Sequence, residues 1–490
     1  MVPGSWNREV LETLAGKQPL LLPPDAGYSA YTSDVVLDGH PDAVLRPRSE
    51  SDVRDIVAVA ASHAVPLTVA GGQTSVTGSS VAEEGILLAT EGMDRFLELV
   101  EDSRTGQMTA VAEPGIFLGD FQRALETEGW FYPPDPTSRN EARLGATVAT
   151  NATGEDTLLY GPTRRWIREL RVVTTDGGTR ILRRTRSNRP PEEKATPGYY
   201  RSDDEIDLVI GSEGTLGVVT RITIDVVPLP PNVFTGLAFF SSLRDGLEFV
   251  VAARRDPEFE PRALELIDRP CLDLVEGNPE GITWPESTGA AIVFKQEYRD
   301  DKERAIALGR WFELVGVHTG GAGEFQDRVL VVEDRAGRER MRSFRHRIPS
   351  TINEVIETFK KQGGRKVGTD WWVPYADLPD FLETWRARIR EAGLRALVFG
   401  HVGNGHPHVN FISRTAKEGN RAEGLSLEMC REAVARGGGV AGEHGLGKLK
   451  RNLLAVQYSA ERIQEMRDIK RQWDPGWILG RGNLFTEGGS

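Results

Sequence analysis

The chain has 490 residues, 39% hydrophobic and 27% charged, which describes an ordinary globular protein too long for one hydrophobic core. A net charge of −12 argues against nucleic acid as a partner of the whole chain, and no run approaches the ~18 apolar residues of a membrane span. The two cysteines, Cys271 and Cys430, exclude a disulfide framework and an internal cysteine-ligated iron–sulfur cluster.

The first residues lack the apolar core of a signal peptide, so a reduced, cytoplasmic setting is expected. Residues 1–40 are expected as a helical lead-in to a first domain over 41–230. There "DAVLRP" (42–47) reads as a strand, and Ser49 is placed to cap a helix whose Val53, Ile56, Val57 and Ala60 keep the i, i+3, i+4, i+7 rhythm. "LTVA" (67–70), "GILLAT" (85–90), "MTAVAEPG" (108–115) and "ELRVVTTDGG" (169–178) continue as strands. "RRTRSNRPPEEKATPG" (183–198) is expected as a solvated loop. "LVIGSEGTLGVVTRITIDVVPLP" (208–230) alternates as a strand pair and ends in prolines, which predicts a boundary near 230. From 231 to 430 helices alternate with strands, as in an α+β cap with an antiparallel sheet, and 431–490 returns to the first domain.

"GGQTSVTG" (71–78) follows the second strand of its unit and leads back to a strand, so it lacks the strand–turn–helix context of a Rossmann fingerprint. What remains is a turn whose backbone N–H groups and hydroxyls suit a phosphate. "GEHGLGKL" (442–449) has P-loop spacing, but Leu449 stands where a magnesium-binding hydroxyl is required.

"FGHVGNGHPHVNF" (399–411) holds three of the eight histidines. Asn404–Gly405 predicts a two-residue type I′ hairpin. In that register His401 and His408 become direct cross-strand partners with Cβ atoms ~5 Å apart, able to chelate one divalent cation. His406 shares their face nearer the turn. Satisfied histidines in a loop are the alternative on these residues alone. A third, anionic ligand is available in Glu443, beside His444 in a glycine-rich segment.

Together with "YPPDPTS" (132–138), "RLGATVATNATG" (143–154) and "GSEGTLGVVT" (211–220), the glycine loop resembles the FAD-binding domain of the p-cresol methylhydroxylase type, in the vanillyl-alcohol oxidase superfamily. The resemblance implies an α+β fold, a two-subdomain FAD-binding domain plus an α+β cap with an antiparallel sheet. It assigns Gly71, Gly72, Gln73, Thr74, Ser75 and Gly78 to the pyrophosphate. Pro134, Ser138, Gly145, Thr147, Asn151 and Ala152 would line the flavin, with Gly214, Thr215, Val219 and Asn483. The nearest histidine to the glycine loop, His63, sits on the preceding helix, so non-covalent FAD is expected.

The pairing of "GHVGNGHPH" with "GEHGLGKLK" resembles a narrower group, the FAD-linked D-2-hydroxy-acid dehydrogenases. By that likeness His401, His408 and Glu443 hold a divalent metal, zinc or manganese, and His444 is the base. Arg347 in "FRHR", with Thr351 a turn further, holds the substrate carboxylate, and Lys366 is a second cation. The chain departs from the group at Asn404, at His406–Pro407 and at Leu479–Gly482. The implied reaction oxidises a 2-hydroxy acid and passes electrons to a quinone, a cytochrome, an electron-transferring flavoprotein or an iron–sulfur subunit. Such relatives allow a homodimer and a peripheral position at the inner membrane. Three alternatives stay open: an alkyl-dihydroxyacetonephosphate synthase-like enzyme, an oxygen-using oxidase, and a non-enzymatic flavin- or metal-binding subunit.

Overall fold

In the computed structural model, which describes residues 10, 13, 20–23, 25–102, 106–185, 194, 197–319 and 326–488, the chain divides into two units. One comprises residues 1–153, 161–229 and 443–490, and the other residues 154–160 and 230–442. Most of the lead-in expected over 1–40 lies outside the described residues; its described part holds the strand Leu20–Leu21 and the 3-10 turn Tyr28–Tyr31.

The first unit is built as local chemistry dictates. Ser49 accepts from the Asp52 N–H at 3.2 Å and starts the helix Glu50–Ser62, whose buried stripe is Val53, Ile56, Val57 and Ala60. That stripe packs with Leu45, Leu67, Ile86 and Leu88 of a four-stranded sheet and with Ile478 and Leu479 of the C-terminal segment. In this sheet Ala43–Leu45, Ile86–Ala89 and Leu67–Ala70 run parallel. A second, five-stranded antiparallel sheet has the order Phe96–Glu101, Met108–Ala112, Val218–Asp225, Ile167–Val173, Thr179–Arg183.

The strand pair expected over 208–230 forms only in part. Ile206–Val209 is a short helix, and Val218–Asp225 inserts between two strands distant in sequence. The three-residue apolar run Leu208–Ile210 carries too little periodicity to separate helix from strand.

The second unit has a seven-stranded antiparallel sheet, ordered Val329–Val332, Asn232–Phe240, Ala290–Tyr298, Pro261–Asp268, Ala396–His401, His406–Thr415, Gly363–Gly368. The helix Arg335–Glu357 covers it with Met341, Phe344, Ile348, Ile352 and Ile356, packed against Leu237, Ile267 and Leu397. This unit continues past 430 to Gly442, because the helix Ala416–Ala435 packs on the strands Gly363–Gly368 and His406–Thr415 and Gly439 bridges to Trp372.

Candidate active site

The glycine turn joins two parallel strands, Leu67–Ala70 and Ile86–Ala89, without an intervening helix. Gln73 adopts the left-handed conformation at φ 52, and its Nε2 donates to the carbonyls of Ser33 at 2.9 Å and Tyr31 at 3.3 Å. Its side chain is thus held by protein. Among the described residues, the N–H groups of Gly72, Gln73, Thr74, Ser75 and Val76 donate to no protein acceptor. A run of such donors around a left-handed residue forms an anion-binding concavity. Ser80 Oγ, a few positions on, is buried without a partner. This donor set fits the pyrophosphate of FAD.

The glycines also serve close packing. A Cβ on Gly72 would stand 2.0 Å from Glu141 O, on Gly71 2.8 Å from Ala146 Cβ, and on Gly145 2.5 Å from Pro114 Cβ. Several side chains expected along the flavin are held by protein: Thr147 Oγ1 donates to Leu144 O at 2.8 Å, Thr215 Oγ1 to Ser212 O at 2.6 Å, and Asn151 Oδ1 accepts from Arg164 N at 2.8 Å. Pro134 and Ala152 are buried, while Ser138 and Val219 are half-buried. Asn483 ties the C-terminal segment to the turns, its Nδ2 donating to Ser79 O and Glu213 O, each at 2.9 Å.

In the cap unit, the bend at 402–405 is a 3-10 turn, Val402–Asn404, closed by Gly405 at φ 68. The expected type I′ turn does not form. His401 therefore faces His406, and His408 faces Phe399, a register two residues away from the expected one. The neighbouring segment sets this turn: Val373 N donates to Gly405 O at 3.0 Å, and a Cβ on Gly405 would stand 1.8 Å from Val373 O. A two-residue slip preserves the alternation of faces. The three imidazoles still cluster, with centroid separations of 5.8 Å for His401–His406, 5.6 Å for His401–His408 and 4.9 Å for His406–His408.

Their environments differ. Buried His401 places Nδ1 2.6 Å from Glu265 Oε1. A carboxylate on Nδ1 fixes the tautomer that offers Nε2 to a cation, the usual support of a metal-binding histidine. His406 is fully buried with Nε2 3.0 Å from Asp370 Oδ1, and Asp370 Oδ2 accepts from Gly442 N at 3.2 Å. His406 and Asp370 thus anchor the last residue of the cap unit, and Gly442 has no room for a Cβ, which would lie 2.6 Å from His406 Cε1.

Behind His401 runs a buried chain of charges. Arg345 donates to Glu265 Oε2 at 2.5 Å and to Glu155, which Lys295 also engages. Burial pushes Glu155 up, but the Arg345 and Lys295 charges hold its carboxyl well below the usual range. Glu265 is likewise lowered against its burial by Arg345 and His401. The segment 154–160 is further held by Arg262, 2.5 Å from Asp156 Oδ2, and by Tyr160 OH donating to Glu297 at 2.6 Å.

The substrate role expected for Arg347 meets a different arrangement. Arg347 is 35% exposed and grips Glu280 through Nε at 2.9 Å and Nη2 at 2.5 Å. Positions 345 and 347 are about 200° apart on a helix, so only one can face the sheet, and Arg345 lies on the buried stripe. Thr351 is half-buried, and exposed Lys366 donates to Asn353 Oδ1 at 2.9 Å.

In the first unit, Glu443 Oε2 accepts from Thr153 Oγ1 at 2.8 Å, and His444 Nε2 lies 3.3 Å from Glu443 Oε1. Lys194, expected within a solvated loop, is buried with Nζ 3.4 Å from Thr153 Oγ1; residues 186–193, 195 and 196 of that loop lie outside the described residues. Glu265, Asp370, Arg345 and Lys194 were not singled out by sequence. Glu265 had a signal, an acid inside the apolar strand "ALELID".

The sequence matches the family described as "FAD linked oxidases, C-terminal domain" over residues 229–484, more than half of the chain, and "FAD binding domain" over residues 41–183. The chain belongs to the FAD-linked oxidases. As a FAD-linked oxidase it is 29% identical to glycolate oxidase subunit GlcD of Bacillus subtilis, covering 94% of this chain and 93% of that one. It is 29% identical to a D-lactate dehydrogenase of Archaeoglobus fulgidus (91% of each chain) and 28% identical to a D-2-hydroxyglutarate dehydrogenase of Stutzerimonas stutzeri (91% of each chain). The fold is shared with solved structures at lower identity. These include an alkyldihydroxyacetonephosphate synthase (17% identity, TM-score 0.70, 98% of this chain and 86% of that one) and 4-ethylphenol oxidase from Gulosibacter chungangensis (16%, 0.71, 99% of each). The expected α+β FAD-binding and cap architecture is therefore that of this oxidase. Among the described residues, no helix is long and apolar enough to cross a membrane.

Proposed function

We propose that this FAD-linked oxidase converts a 2-hydroxy acid into the 2-oxo acid and delivers the electrons to an external acceptor. The observation that carries the reading is the cap's three-imidazole cluster with His401 supported at Nδ1 by Glu265. The names of the relatives support it from a second side, since glycolate, D-lactate and D-2-hydroxyglutarate are all 2-hydroxy acids. His401, His408 and Glu443 are the residues we assign to a divalent cation, zinc or manganese. Bound FAD supplies the acceptor for a hydride from Cα, and a bound divalent cation supplies a Lewis acid that makes the substrate hydroxyl more acidic.

The rest is the work of the chain. His444 takes the hydroxyl proton on its imidazole, and Glu443 beside it, fixed by Thr153, sets the orientation of that part of the turn. The N–H groups of residues 72–76 bind the pyrophosphate. Arg347 and Lys366 already have partners in Glu280 and Asn353, so the substrate carboxylate is not assigned to them.

The test is anaerobic mixing of the FAD-loaded protein with D- and L-lactate, glycolate and D-2-hydroxyglutarate while the flavin absorbance is followed. Bleaching by at least one acid is expected, together with its suppression by a chelator and its restoration by zinc or manganese. A flavin that stays yellow with every hydroxy acid ends the reading; bleaching indifferent to chelation removes the metal from it.

A further inference from the structure

Glu213 is a buried acid that this chemistry does not use, and its backbone is strained. It lies at φ 54 between Gly211 at φ 84 and Gly214 at φ 73, in the turn that precedes the strand Val218–Asp225. A bulky residue in the left-handed region persists only where its surroundings over-determine it, and such strain is concentrated at working sites. Here the surroundings are specific. Glu213 N donates to Ala149 O at 2.8 Å, and Glu213 O accepts from Asn483 Nδ2 at 2.9 Å.

The side chain then reaches the turn that carries His444. Oε1 accepts from Leu446 N at 2.8 Å and Oε2 from Gly447 N at 2.6 Å. Gly445, the residue after His444, adopts φ 72, and a Cβ there would stand 2.7 Å from Glu213 Oε1. The far side of the same turn is held by the glycine loop: Thr77 O accepts from Lys448 N at 3.0 Å and Leu449 N at 3.2 Å. A carboxylate that accepts two successive N–H groups fixes a peptide plane in both position and tilt.

We infer that Glu213 is a positioning residue for His444, a latch that fixes the turn 445–447 to the flavin unit and so sets where the imidazole stands. The inference rests on the proposed role of His444 as the base that takes the hydroxyl proton. Burial, which pushes Glu213 up to about 7, agrees with a carboxyl enclosed by the turn it holds. Glu213→Gln keeps the volume but offers an NH2 where one N–H donor must be received.

The experiment compares the FAD-loaded wild type with Glu213→Gln by amide hydrogen exchange over residues 444–449 and by single-turnover flavin reduction. The acid is whichever of D-lactate, glycolate and D-2-hydroxyglutarate bleaches the wild type fastest. Expected are full FAD occupancy, faster exchange confined to that segment, and a limiting reduction rate lower by about 10–100-fold with the half-saturating concentration within about two-fold. Faster exchange with an unchanged limiting rate overturns the inference, as does unchanged exchange. Loss of FAD overturns it too, because Glu213 would then be supporting the cofactor. If Glu213→Gln does not accumulate, Glu213→Asp, one methylene short of both N–H groups, is held to the same outcomes. A wild type that no acid reduces ends the proposed function instead, while the exchange comparison still decides whether Glu213 holds the turn.

Discussion

Arg345 and Arg347 stand two residues apart in "FRHR" and have opposite energetics. Arg345 is 9% exposed at the side chain and bridges Glu155 and Glu265, so removing it leaves two buried carboxylates without their common partner. Arg345→Ala is therefore expected to cost about 3–5 kcal/mol of cap stability, the range for breaking a buried charge network. Arg347→Ala removes a pair whose arginine is 35% exposed and screened by solvent, so its loss should be far smaller. Urea unfolding of the two variants separates them, and equal losses would mean that the charge chain behind His401 carries no stability. The same pair shows what the sequence could tell. The family likeness points to Arg347 in "FRHR", whereas the apolar rhythm Met341, Phe344, Ile348, Ile352 puts 345 inside and 347 outside. The structure buries Arg345 and leaves Arg347 near the surface, paired with Glu280. Glu265 and Asp370 are harder to see, because an acid in a strand or just past its end becomes informative only when the histidine it meets is known.

Elements with local chemistry of their own were legible. Ser49 accepts from the N–H three residues on, at 3.2 Å, and the helix begins where that cap predicts. The hairpin at 404–405 was not, since Asn–Gly favours a two-residue turn only when nothing else packs on the bend. Val373 does pack on it, and the turn lengthens to four residues while the histidine face survives. This assigns a large role to Gly405. A side chain there meets both a left-handed backbone at φ 68 and a carbonyl 1.8 Å from its Cβ. Gly437, in the same unit at φ 83, has nothing within 4 Å of where a Cβ would stand and so isolates the backbone cost alone. Gly437→Ala should cost about 1–2 kcal/mol, and Gly405→Ala distinctly more, by chemical denaturation. Equal costs would show that Val373 does not dictate the bend.

At the scale of the molecule, a chain carrying a net charge of −12 gains self-repulsion as more carboxylates ionise, and buried groups add a pH dependence of their own near neutrality, Glu213 and Lys448 of the flavin unit among them. Burial raises Glu213 from 4.5 to about 7, overriding the Leu446 and Gly447 N–H groups, and lowers Lys448 from 10.5 to about 8. Between 4.5 and about 7 the folded protein keeps a proton on Glu213 that the unfolded chain has released, so stability falls as pH rises through this window. Between about 8 and 10.5 the unfolded chain holds a proton on Lys448 that the folded protein lacks, so stability rises with pH there. The two windows leave a minimum between them. The first window alone is worth on the order of 3 kcal/mol for a shift of this size. Unfolding free energies of wild type and Glu213→Gln, measured from pH 5 to 7.5, should diverge in slope, the wild type losing stability relative to the variant as pH rises. A difference between them that stays constant across that range would mean that Glu213 is already ionised in the folded protein, with the Leu446 and Gly447 N–H groups outweighing its burial.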